Sequence, residues 1–207
     1  ILAAQGKVEE ALSTLAATRA GDDNEKNQLT LLHAEILAGE KRYDEAMGVF
    51  DRALNGRYDM TLLYNRAMLA EQMGRLDILE TDLRTIIERE PDNSQALNAL
   101  GYTLTDRTDR HAEAYEYIKR ALAASPNDFF ILDSMGWVLY RLGRLEEAVP
   151  YLEQARKLRN DPEVAAHLGE VLWMLGRRDD ARQIWSTALE DHPKDTRILD
   201  AIKRLAP

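Results

Sequence analysis

The sequence predicts an all-α solenoid of stacked helix pairs, and three rows of small residues carry that prediction. Ala34, Ala67, Gly101, Gly136 and Gly169 recur at intervals of 33, 34, 35 and 33. Ala11, Ala46, Leu79, Ala114, Ala148 and Ala181 keep nearly the same beat, and Ala53, Ile86, Ala121, Ala155 and Ala188 form a third row. Such a period means one helical unit repeated along the chain, with small side chains where neighbouring helices approach closely. An array of this kind presents a surface; it is not built around a reaction centre.

Leu132 to Ala155 shows the unit most plainly. Leu132, Met135, Gly136 and Leu139 fall at i, i+3, i+4 and i+7, one apolar stripe of a helix. Gly143-Arg144 breaks that helix, and Ala148, Leu152 and Ala155 line the inner face of a second. The unit resembles the tetratricopeptide repeat along nearly the whole chain. In the order of that family's signature positions, one repeat supplies Ala165, Leu168, Gly169, Leu172, Ala181, Trp185, Ala188 and Pro193. Another supplies Leu97, Leu100, Gly101, Leu104, Ala114, Ile118, Ala121 and Pro126. The resemblance implies a right-handed superhelix of antiparallel helix pairs, read as one continuous solenoid domain.

The elements follow in order. Residues 1–23 form a truncated repeat, mostly its second helix. Full repeats occupy 27–59, 60–93, 94–128, 129–161 and 162–195, and 196–207 form a capping helix. In the cap, Ile198, Leu199, Ile202 and Leu205 are apolar, and Arg197, Lys203 and Arg204 are expected to face outward. Gly6, Gly74, Gly143 and Gly176 mark the turns inside the pairs, where a helix ends with positive φ. Pro91, Pro126 and Pro193 separate repeats, each followed by an Asp or Asn that can start the next helix. Three departures stand out. Leu79 and Ile86 replace small residues, an ordinary repacking or a local change of curvature. Thr105-Asp106-Arg107-Thr108-Asp109-Arg110-His111 carries one extra residue, expected to lengthen its turn, and Pro150 removes a backbone donor early in a helix.

Composition excludes several function classes. The chain has no cysteine, which rules out disulfides, zinc–thiolate sites and thiol catalysis. Its net charge is −9, without the basic face that a nucleic-acid duplex demands; Arg177-Arg178 and Lys203-Arg204 are short runs on solvated helix faces. No apolar run reaches membrane-spanning length. The opening Ile1-Leu2-Ala3-Ala4-Gln5-Gly6 reads as the tail of a helix that starts upstream, so any targeting signal is expected outside this sequence.

The family geometry implies a concave groove lined by the first helix of each pair. It places Tyr64, Met68, Asn98, Tyr102, Asp133, Trp137, Tyr140, Arg141, Trp173 and Met174 on that groove. Aromatic rings would offer large burial at low entropic cost, and Asn98, Asp133 and Arg141 could pair with a peptide backbone or charge. The same aromatic stripe also suits plain core, and the two readings separate at Trp137: a groove residue can be removed without loss of the fold. The carboxylate clamp by which some members hold acidic chaperone tails is not matched. Its positions here hold Leu31, Glu35, Asn65, Gln95 and Ala99, of which only Asn65 agrees.

Nothing supports catalysis. His33, His111, His167 and His192 lie in four different contexts, and there is no phosphate loop, nucleophile elbow or convergent carboxylate pair. His167 and Glu170 have a spacing that metal sites use, but with no partner set they read as structural, and no metal or cofactor is expected. Three runs, Asn98–Leu104, Leu132–Arg144 and His167–Trp173, are similar to proteobacterial tetratricopeptide lipoproteins of the cell envelope. Among these, an outer-membrane lipoprotein binds and activates a periplasmic carboxyl-terminal processing protease. The resemblance implies a non-catalytic adaptor at the periplasmic face of the outer membrane, anchored through an upstream lipid. Its partners would be such a protease and the cell-wall hydrolases it cleaves. The alternative is a cytoplasmic or inner-membrane assembly factor for secretion or pilus components.

Overall fold

The computed structural model describes residues 7–206. Among these it contains twelve helices and no strand: α1 Val8–Ala17, α2 Asp23–Gly39, α3 Tyr43–Leu54, α4 Met60–Gln72, α5 Leu76–Arg89, α6 Ser94–Arg107, α7 His111–Ala124, α8 Phe129–Arg141, α9 Leu145–Leu158, α10 Pro162–Met174, α11 Arg178–Asp191 and α12 Thr196–Leu205. Among the described residues no helix is long and apolar enough to cross a membrane. Gly6 lies outside the described residues. The chain divides into two compact units, Ile1–Pro91 and Asp92–Pro207.

Local chemistry sets the boundaries. Asp22, Asp59, Asn93, Asp128, Asp161 and Asp195 each accept a hydrogen bond from a backbone N–H of the first helical turn that follows. Asp22 starts α2 ahead of Asn27, where the repeat was expected to open. The second helix of a pair begins differently. Arg42, Arg110, Arg144 and Arg177 stand just before α3, α7, α9 and α11, and each reaches an acid three residues on: Glu45, Glu113, Glu147 and Asp180. That carboxylate sits in the first turn, where the helix dipole favours negative charge.

Gly74, Gly143 and Gly176 take φ of 70°, 76° and 79° at three turns; Lys41 takes the same role between α2 and α3 with φ 59°. The turn between α6 and α7 has no such residue, and here the expected longer turn is corrected. The extra residue extends α6 to Arg107 instead. Thr105 and Thr108 turn their hydroxyls back onto the carbonyls of Gly101 and Leu104, at 2.8 and 2.6 Å, and the helix closes on itself without a left-handed residue. Pro150 lies on the exposed side of α9, which runs through it unbroken.

The first unit packs α1 to α5 around Leu37, Phe50, Leu62, Leu79, Leu83 and Ile86, all buried. Leu79 and Ile86 are fully buried, whereas Ala53 is only half-buried. Inside this unit Asp82, 1% exposed, is gripped by Arg66 through Nε at 2.8 Å and Nη2 at 2.6 Å.

In the second unit the small-residue row acquires its physical meaning. A Cβ on Gly101 would come within 2.5 Å of the Ile118 side chain, one on Gly136 within 2.7 Å of Leu152 Cδ2, and one on Gly169 within 2.7 Å of Trp185 Cδ1. Each glycine of a first helix therefore receives a large side chain of its own second helix. Burial of those side chains, about 1.5–3 kcal/mol apiece, holds the pair together.

Candidate protein-interaction surfaces

The inner helices of the second unit, α6, α8, α10 and α12, are tied by a ladder of polar contacts. His167 on α10 places Nδ1 3.0 Å from both carboxylate oxygens of Asp133 on α8. Glu163 on α10 accepts from Arg197 of α12 at 3.1 Å, and Glu170 from Arg204. Donor and acceptor are 34 residues apart in each of the three cases. Tyr102 on α6 reaches past α8 to donate its hydroxyl to Glu163.

Several of the expected groove residues belong to this ladder. Asp133 is buried, and Trp137, also buried, stacks on His167 with ring centroids 4.0 Å apart and on Tyr140 at 4.9 Å. Tyr102, Tyr140, Arg141 and Asn98 are half-buried. Trp173 stacks on Trp185 of α11 at 5.9 Å, with Arg178 and Arg182 over its ring, and Met174 is exposed. Arg197 and Arg204 are exposed, as expected of a solubilising cap, and from the surface their guanidinium groups pair with half-buried Glu163 and buried Glu170. Glu163 went unnoticed in the sequence, where His167, Glu170, Arg197 and Arg204 were singled out without their partners. The signal was present in the ladder's constant spacing between groups of opposite charge.

Burial alone would lower the basicity of the His167 imidazole, but the adjoining Asp133 carboxylate and its hydrogen bond outweigh burial, and the pKa rises above 6.5. Glu163 and Glu170 act in the same direction. Burial, with the nearby Glu163 carboxylate, pushes the Tyr102 hydroxyl well above its usual range, so it stays a donor. A folded-state pKa above the unfolded one adds stability below about pH 6.5, which is lost as pH rises through the folded value. Urea midpoints should therefore fall on moving from about pH 6 to about pH 8, and less so in His167→Gln. Equal pH slopes in the two proteins would mean that His167 does not titrate as described.

Asp133, Glu163 and His167 offer ligand atoms within 4.8 Å of one another. Both carboxylates are already engaged, Asp133 by His167 and Glu163 by Tyr102 and Arg197, so the cluster is balanced by the chain's own cations. Glu170, which shares a metal-type spacing with His167, is taken by Arg204.

The first unit presents an open surface. Its α2, α3 and α4 surround a cleft of about 590 Å³, lined by Leu31, Ala34, Ala38, Phe50, Met68 and Leu69, with Glu35, Asn65 and Gln72 at its polar edge. Met68, expected on the groove, is one of its walls. Tyr64 is half-buried on the same helix, where burial and the nearby Glu71 raise its hydroxyl pKa.

Comparison with known proteins agrees with this architecture. The tetratricopeptide repeat profile matches residues 1–59, 64–129 and 139–205. A TPR repeat-containing protein of Pseudomonas aeruginosa is 47% identical over 172 residues, 82% of this chain and 29% of that protein. The chain thus spans about three tenths of that relative's length. A thermophilic TPR protein of Thermus thermophilus superposes with a TM-score of 0.70 at 29% identity, covering 86% of this chain and 96% of the other. YrrB, a TPR protein with an unusual peptide-binding site, has the same fold, with a TM-score of 0.62 at 18% identity over 84% of this chain and 91% of its own. Proteins of this kind act as protein-interaction scaffolds and are in general non-catalytic. Periodicity, fold and profile agree: the chain belongs to the tetratricopeptide repeat family.

Proposed function

We propose that this chain is a docking module of an envelope adaptor that holds a periplasmic carboxyl-terminal processing protease, its substrates, or both. In this reading the chain itself performs no catalysis, and cleavage belongs to the captured protease. Its place is the periplasmic face of the outer membrane, with attachment through a lipid outside this sequence. The observation that carries the reading is the 47% identity with the Pseudomonas aeruginosa repeat protein over 82% of the chain. The cleft between α2 and α4 supports the docking role, because it combines an apolar floor with polar groups able to meet a peptide backbone.

The test is affinity capture from an envelope extract on the immobilised chain, followed by binding of the purified candidate. Recovery of a carboxyl-terminal processing protease that then binds directly is the expected outcome. Recovery of secretion or pilus subunits instead would replace the adaptor with an assembly factor using the same surface.

A further inference from the structure

The geometry points to a specific ligand chemistry for the first unit's cleft: a peptide segment in which an apolar side chain adjoins a lysine or arginine. This rests on the docking reading and names what docks. The argument starts from the ladder of the second unit, where each inner carboxylate meets a basic group 34 residues on: Asp133 with His167, Glu163 with Arg197, Glu170 with Arg204. Glu170 follows Gly169 directly, and Glu35 follows Ala34, the member of the same small-residue row in the first unit. Glu35 is therefore the counterpart of Glu170. The residue that corresponds to Arg204 is Met68, which follows Ala67 and carries no charge.

The consequence is an acidic rung without its cation. Glu35 is exposed at the edge of the cleft, and no hydrogen bond or ion pair to it occurs among the described residues. It is the only charged group among the lining residues. Around it the wall is apolar: Leu31, Phe50, Met68 and Leu69 leave space for one or two aliphatic or aromatic side chains. Asn65 donates through Nδ2 to the Thr61 carbonyl at 2.8 Å, which leaves its own Oδ1 free to accept from a ligand's backbone N–H. An apolar residue in the cleft with a neighbouring ammonium or guanidinium at Glu35 would complete the rung that the fold leaves open. An acidic peptide would set like charges together, so the cleft discriminates by sign as well as by shape.

Fluorescence anisotropy on the full chain tests this with two labelled peptides, acetyl-Gly-Ser-Leu-Lys-Leu-Lys-Ser-Gly-amide and the same sequence with glutamate in place of lysine. The lysine peptide should bind more tightly, and Glu35→Arg should reverse the order, each preference being about two- to five-fold. Glu190→Arg changes net charge equally at a site in the other unit and should leave the order intact. Ala38→Trp, which fills the cleft, should abolish binding of both. Equal binding of the two peptides, lost in Ala38→Trp, would overturn the cationic preference while leaving the cleft as a docking site. A lysine preference unchanged by Glu35→Arg, or reversed as strongly by Glu190→Arg, would overturn it as well. Binding of neither peptide would overturn the assignment of the cleft, while capture of the protease would still stand or fall by itself.

Discussion

Trp137→Ala should lower the unfolding free energy by about 3–5 kcal/mol, the usual loss when a buried tryptophan is cut back to a methyl group. The ring is 8% exposed and is clasped between Tyr140 and His167, so its removal takes away two stacking partners and leaves a void between α8 and α10. The void borders the Asp133–His167 pair, and water entering it would weaken that contact too. Urea denaturation followed by circular dichroism measures the effect directly. A midpoint unchanged from the parent would place Trp137 on a free groove surface instead. Because the expected loss is large, binding assays in this region need a milder probe, and Trp137→Phe keeps most of the packing.

The second large effect is expected at Arg66. Its guanidinium neutralises Asp82, 1% exposed, through two hydrogen bonds and reaches Asp51 at 2.7 Å with the remaining arm. Arg66→Met leaves a carboxylate inside the first unit with no cation, and should cost about 3–5 kcal/mol. The double change Arg66→Met with Asp82→Leu removes both charges and should recover most of that loss, because the penalty lies in the unpaired ion. Chemical denaturation of the two single variants and the double variant completes the cycle. A double variant no more stable than Arg66→Met would show that the arginine acts through packing of its stem.

The helix pairs were legible in the sequence because each signal that sets them is local or strictly periodic. Asp59, Asn93, Asp128 and Asp195 start helices by bonding to the first turn that follows them, a decision made within a few residues. Gly101, Gly136 and Gly169 repeat because each must receive Ile118, Leu152 or Trp185 at almost no separation. The extra residue before His111 was visible, but its destination was not. Whether it enters the turn or the helix depends on two threonine hydroxyls finding carbonyls one turn back. The polar ladder was harder still. Asp133 and His167 look unrelated on their own helices, and only the packing of α8 on α10 turns them into a pair. Arg197 and Arg204 are exposed as read, but their pairing with half-buried Glu163 and buried Glu170 was not legible, because it too depends on how α12 packs on α10.

The ladder's constant spacing has a consequence for how this chain can change over time. A rung formed between residues 34 positions apart is insensitive to what fills the connecting turns but highly sensitive to how many residues lie between its ends. One residue inserted in α10 ahead of His167 would rotate that side chain by roughly 100° about the helix axis and part it from Asp133. Substitutions in that stretch cost one contact each, while a single insertion or deletion costs every rung that spans it. The stretch from Asp133 to Arg204 therefore behaves as a counted length: free to drift in composition, and held to its residue number.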